Sequence, residues 1–138
     1  MIPDPAPVRA FLADRHVALA GRFGAAAARD LAPLPEPVDD DAARVAARDL
    51  LARLGQDGWL DPIGAQDWRG CCVAREALAA ASPLADAVFA LQGLGTVPLL
   101  LADNADLRER WVPEALSGRA MAAFAMTEPE AGSDVASL

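Results

Sequence analysis

Phe124-Ala125-Met126-Thr127-Glu128-Pro129-Glu130-Ala131-Gly132-Ser133-Asp134 is the stretch on which the reading of this chain turns. Upstream the chain is rich in alanine and patterned for helix; here a short apolar run meets proline and glycine set among hydroxyls and carboxylates, the composition of a strand entering a tight polar turn. Pro129 holds its own φ and biases Glu128 toward extended backbone, so the spacing predicts a strand from about Phe124 that ends at Thr127. Gly132 has no Cβ and tolerates positive φ, so amides around Gly132 and Ser133 can converge on an anion. Two readings are open from residue types alone: an ordinary hairpin turn and a phosphate cradle.

Working back toward the N-terminus, Asn104 is placed to cap a helix, with Asp106 in its first turn and Leu107, Trp111 and Val112 expected to face inward. Ser82-Pro83 starts the helix before it, serine as cap and proline in the first turn, and Gly95 with Pro98 predicts a kink or break inside that helix. Cys71 to Ala81 reads as a further helix. Asp39 or Asp40 caps another, whose face of Val38, Ala42, Val45, Leu50, Leu51 and Leu54 runs to Gly55, with Gly58 at the exit and Trp59-Leu60 as an apolar anchor. Pro33, Pro35 and Pro37 separate it from a first helix expected over Val8 to Leu31, with Val8, Phe11, Leu12, Leu19 and Phe23 on one face. The expectation is an all-α bundle of about five helices, residues 1–119, followed by the first strand of a β-domain, residues 120–138.

The net charge of −8, without a basic run, argues against nucleic acid and anionic membrane as partners. No stretch is read as long and apolar enough to span a bilayer. Pro3, Asp4 and Pro5 stand where a secretory leader would carry basic and apolar residues, so a cytoplasmic location is expected. Cys71 and Cys72 are adjacent, unsuited to a mutual disulfide or to metal-ligand spacing, and no metal site is expected. His16, the sole histidine, lies on an amphipathic helix with no Ser, Cys or carboxylate partner in view and receives no catalytic role.

The string Thr127-Glu128-Pro129-Glu130-Ala131-Gly132-Ser133-Asp134, preceded by its apolar run, resembles the signature of the acyl-CoA dehydrogenase family. Leu107-Arg108-Glu109-Arg110-Trp111-Val112-Pro113-Glu114-Ala115-Leu116-Ser117-Gly118 is similar to the helix that precedes it in the family, and Leu51 to Leu60 is similar to the family's second helix end. The chain departs from the pattern at Asp61 to Gly70, where family members carry a Gly-Gly-x-Gly loop near the acyl end of the pocket.

The resemblance implies an FAD-dependent enzyme that oxidises an acyl-CoA to a 2-enoyl-CoA by α-proton abstraction and β-hydride transfer to flavin. Electron-transfer flavoprotein is implied as acceptor, and a homotetramer or homodimer as assembly. Carried over by position, Phe124, Ala125, Met126, Thr127, Gly132 and Ser133 are the FAD-contacting residues, and Ser133, Phe89, Gln92 and Gly95 are candidates for the substrate site. The family's base lies in a C-terminal helical domain, so no catalytic residue is assigned and Glu128 and Glu130 are given no catalytic role. The chain stops four residues after the motif. It is therefore expected to be the N-terminal part of a longer protein, and alone neither to hold FAD tightly nor to turn over substrate. A flavin oxidase or monooxygenase of the same fold and a non-catalytic helical module are the alternatives.

Overall fold

The computed structural model describes residues 3–137. Its helices are α1 (Asp14–Ala26), α2 (Asp40–Gln56), the single turn α3 (Asp61–Gly64), α4 (Trp68–Ala81), α5 (Pro83–Leu101) and α6 (Ala105–Leu116). A 3-10 segment, Ala6–Phe11, precedes α1, and a π-helical turn, Ala27–Leu31, prolongs it. Side chains take up the amides that a helix start leaves without partners. Asp39 accepts from Ala42 at 2.8 Å, Asp67 from Gly70 at 3.1 Å, Ser82 from Ala85 at 3.3 Å and Asn104 from Leu107 at 3.0 Å.

The long helices match the expectation of an all-α bundle, and the differences have physical causes. The first helix starts at Asp14 and not at Val8, because Ala13 is extended and its amide donates to His16 Nδ1 at 3.0 Å. Val8 and Phe11 are consequently exposed. The helix expected from Cys71 begins at Trp68, since Asp67 caps it one turn earlier. Val38 and Val45 stand in solvent, and α2 buries only the end of its expected face, Leu50, Leu51 and Leu54. Trp111, expected in the core with Leu107, is exposed beneath the Arg110 guanidinium at 4.8 Å, while Val112 and Ala115 fill the inner face of α6. The break expected near Gly95 does not occur: α5 runs on through Pro98. By length and composition α5 is also apolar enough to cross a membrane, with a mean hydropathy of 1.6, contrary to the sequence reading. In the fold it packs against α2, α4 and α6.

The core lies where α1, α2, α4 and α5 meet. Phe23 stacks on Trp59 with ring centroids 4.1 Å apart and planes inclined by 9°. Leu54, Leu60, Ile63 and Leu78 close around them, all fully buried; each such side chain contributes about 2 kcal/mol by leaving water. Arg75 grips Asp86 through two 2.8 Å bonds and ties α4 to α5.

Glycine permits one tight crossing. At the end of α6, Gly118 takes φ +75°, and the Gly118 and Arg119 amides donate to Ala115 and Glu114, a Schellman closure. That turn lies directly on α2: a Cβ at Gly118 would stand 2.3 Å from the Leu51 carbonyl oxygen, and one at Gly55 would stand 2.3 Å from the Ser117 carbonyl.

His16 ties the starts of two helices together. Its Nδ1 accepts from the Ala13 amide and its Nε2 donates to Asp67, 51 residues away, at 3.0 Å. Burial pushes the Asp67 carboxyl up, but hydrogen bonds from the Gly70 amide and from His16, with Arg15 nearby, outweigh it and hold the group below its ordinary value. A carboxyl lowered on folding contributes stability that is present above its unfolded pKa of about 3.9 and is lost as pH falls through the folded value. Asp67→Asn is therefore expected to cost about 1–3 kcal/mol at neutral pH and to flatten the decline in urea midpoint between about pH 5 and pH 3. A variant with the wild-type midpoint and the wild-type acid slope would refute this account of the pair.

Candidate functional site

The turn that the sequence singled out is built from the end of α6 onward. After the Schellman closure the chain leaves the bundle extended, and residues 121–128 form no strand; the expected first strand is absent because no neighbouring strand lies beside it among the described residues. Just ahead of it, at Ala120 and Ala122, the extended chain is held by a side chain. Gln92, on the inner face of α5 and 1% exposed, donates through Nε2 to the carbonyls of Ala115 and Ala120, each at 2.8 Å, and accepts through Oε1 from the Ala122 amide at 2.9 Å. A carboxamide that meets C=O of one residue and N–H of the second residue on reproduces what an adjacent strand would offer. Thr96 returns its hydroxyl to the Gln92 carbonyl at 2.6 Å. One turn along α5, Gly95 admits the chain: a Cβ there would lie 2.8 Å from Ala122 Cβ and from the amide nitrogen and carbonyl oxygen of Ala123.

Beyond this contact the backbone of 123–127 makes no hydrogen bond among the described residues. Glu128 and Ala131 then exchange two bonds, amide to carbonyl, at 2.8 and 3.3 Å around Pro129-Glu130. Ala131 is buried, and Thr127, Gly132 and Ser133 are exposed around it. The reciprocal turn folds Thr127 back toward Gly132, where a Cβ would stand 4.0 Å from the threonine methyl carbon. Gly132 does not use positive φ, which the described glycines adopt at Gly58 and Gly118.

Six residues of the string are thus exposed on either side of the turn: Phe124, Ala125 and Met126 on the extended approach, Thr127 at its end, Gly132 and Ser133 across the turn. Among the described residues, no hydrogen bond engages the hydroxyls of Thr127 and Ser133 or the amides of Gly132 and Ser133. The hydroxyls and amides of these exposed residues, beside the half-exposed Phe124 and Met126, can donate hydrogen bonds to an anion. The other candidates sit apart. Phe89 is buried in the core, and Gln92 and Gly95 line the crossing under Ala122.

Two cavities open elsewhere. The larger, about 590 Å³, lies between the proline-rich loop 32–37, Leu50 and Arg53 of α2 and the Ser82–Leu84 turn; the smaller, about 280 Å³, lies near Asp30, Arg53 and Trp59. No candidate site residue lines either one. Among the described residues no cluster of three or more His, Cys, Asp or Glu side chains is arranged for a metal. Burial pushes the Cys71 thiol up to about 11, away from the range of a reactive thiolate.

No protein-family model matches the chain. A probable acyl-CoA dehydrogenase of Mycobacterium leprae is 31% identical over 134 residues, which cover 92% of this chain and 34% of that protein. Over 92% of its length the chain is similar to acyl-CoA dehydrogenases. Benzylmalonyl-CoA dehydrogenase of Aromatoleum aromaticum is likewise 31% identical over 135 residues, covering 92% of this chain and 35% of the relative. The mouse mitochondrial very long-chain specific acyl-CoA dehydrogenase reaches 47% identity over 47 residues, 34% of this chain and 7% of its own length. The chain spans about a third of the length of the curated acyl-CoA dehydrogenase relatives that it matches along most of its own length.

At the segment where the chain departs from the acyl-CoA dehydrogenase pattern, Asp61 to Gly70, the structure has α3, with Pro62 and Ile63 buried, then Gln66 at φ 52° and the Asp67 cap. The His16–Asp67 bond lies here and could not be read from sequence, because its two members are related only through the packing of α1 on α4. The one available signal was an Asp directly before a helical run, the same pattern that exposes the caps at Asp39 and Asn104.

Proposed function

We propose that the chain forms the N-terminal helical domain, residues 1–119, and the opening of the following domain, residues 120–138, of an FAD-dependent acyl-CoA dehydrogenase. The observation that supports this most is the turn itself: in a chain similar to acyl-CoA dehydrogenases, Thr127, Gly132 and Ser133 meet around the Glu128–Ala131 closure with their hydroxyls and amides uncommitted among the described residues. The residues fit the flavin by chemistry, since the turn offers donors for an anion and Phe124 and Met126 offer an apolar flank. When bound, FAD supplies the acceptor for the hydride leaving the β-carbon of an acyl-CoA thioester as the α-proton is removed.

In this reading the chain's own residues bind and orient. Thr127 hydrogen-bonds the edge of the ring system, and the Gly132 and Ser133 amides with the Ser133 hydroxyl hold the pyrophosphate. Ser133 also reaches the CoA portion of the substrate. The proton-abstracting base is assigned to no residue of this chain. Acyl-CoA as substrate, electron-transfer flavoprotein as acceptor, a homo-oligomeric assembly and a cytoplasmic location complete the proposal.

The test uses the complete natural polypeptide that carries these residues. It is expected to purify with FAD, and Thr127→Ala is expected to weaken FAD by about tenfold, the equivalent of about 1.4 kcal/mol and of one hydrogen bond. A protein that takes up no flavin would sink the proposal. Rapid reoxidation of its reduced flavin by air would move the assignment to an oxidase.

A further inference from the structure

We infer that Gln92 is a positioning residue for the flavin turn, acting with Gly95 to set where the chain 120–127 leaves the helical bundle. The inference rests on the FAD assignment above.

Three observations carry it. First, every hydrogen bond of the Gln92 amide group among the described residues goes to main chain: both donors go to carbonyls, Ala115 and Ala120, and the oxygen receives the Ala122 amide. A side chain aimed at substrate would keep an end free. Second, the arrangement fixes its own orientation, because two carbonyls require the NH2 end and one amide requires the oxygen. Third, these are the last hydrogen bonds from the bundle before the turn. Phe124 follows Ala122 by two residues and Thr127 by five, with no backbone hydrogen bond between 123 and 127 among the described residues. Gly95 supplies the matching depth, since any Cβ at that point would lift Ala122 and Ala123 off α5.

Carbonyl, amide and helix therefore define height and register together. An extended chain advances about 3.3 Å per residue and reverses its side chains at each step. A slip of one residue at Ala122 would move Thr127 by that distance and turn its hydroxyl to the opposite side.

The experiment uses the complete FAD-loaded polypeptide and compares Gln92→Leu and Gly95→Ala with Leu54→Ala, a core change remote from the turn. Readouts are FAD dissociation, the visible absorption spectrum of the bound flavin, and amide hydrogen exchange of Ala122. For Gln92→Leu we expect FAD to bind at least tenfold more weakly, the absorption bands to shift, and the protection of Ala122 to be lost. Gly95→Ala should act in the same direction by about fivefold. Leu54→Ala should lower thermal stability while its FAD affinity stays within twofold of wild type.

If Gln92→Leu and Gly95→Ala bind FAD as the parent does, with an unaltered spectrum, positioning is refuted and the flavin assignment stands. An altered KM for acyl-CoA with normal FAD affinity also refutes it, by making Gln92 a substrate contact. A parent protein without flavin refutes both. Should Gln92→Leu fail to fold, the Gly95→Ala result decides.

Discussion

Gly118→Ala is expected to lower the stability of the helical bundle by about 2–5 kcal/mol. Two costs combine. An L-residue with a Cβ held in left-handed backbone loses about 1–2 kcal/mol, and Gly118 sits at φ +75°. The new methyl would also meet the Leu51 carbonyl oxygen at 2.3 Å and Ala52 Cα at 3.1 Å. Both are main-chain atoms of α2 with no rotamer to give way, and overpacking of this kind costs about 1–3 kcal/mol. The comparison is Gly21→Ala in α1, where nothing lies within 4 Å of the added methyl; there the gain in helix propensity should stabilise by up to about 1 kcal/mol. Urea unfolding of the two variants checks the pair, and a Gly118→Ala midpoint no lower than that of Gly21→Ala would overturn the account of the crossing.

Phe23→Ala should cost about 3–5 kcal/mol, the range for removing a fully buried aromatic. Phe23 is 1% exposed and lies flat on Trp59, which is itself 3% exposed. The ring joins α1 to the α2–α3 connection, so its loss opens a cavity at the centre of the core. Trp59 makes the effect visible. Trp68 and Trp111 are half in solvent and are expected to emit as wet indoles, so a buried emission is expected to belong to Trp59. Phe23→Ala should shift it to longer wavelength before the denaturation transition, whereas Phe23→Leu, which keeps much of the volume, should shift it little and cost less than half as much. Unchanged emission in Phe23→Ala would show that the stack is not what shelters Trp59.

The parts of the fold legible in sequence are those decided within a few residues. Asp39, Ser82-Pro83 and Asn104 announce their helices because capping is local: one oxygen reaches an amide two or three positions on. The exit at Gly58, with φ +74°, follows from the same locality. What long-range packing decides was illegible. Trp111 looked like core by type and spacing, yet α6 presents Val112 and Ala115 inward and leaves the indole on the surface. Phe124 to Thr127 looked like a strand because its residues favour extended backbone; a strand also needs a neighbour, and the glutamine on α5 that stands in for one bonds only Ala120 and Ala122, ahead of that run. The turn was recognised as a string, whereas the meeting of Thr127 with Gly132 required the Glu128–Ala131 closure. Gln92 could be singled out as unusual, a polar residue in an apolar helix, but its partners lie 23 to 30 residues away.

The extended segment after Ala122 has a consequence for handling the molecule. Phe124 and Met126 are exposed on a stretch whose backbone makes no hydrogen bond among the described residues, and Met121 stands exposed at its foot. An uncovered edge of this kind is the template on which separate chains add to one another and aggregate. Gln92 blocks one part of that edge by occupying Ala120 and Ala122. A partner docked over the remainder would do double duty, joining the folded assembly and keeping one molecule from polymerising onto the next.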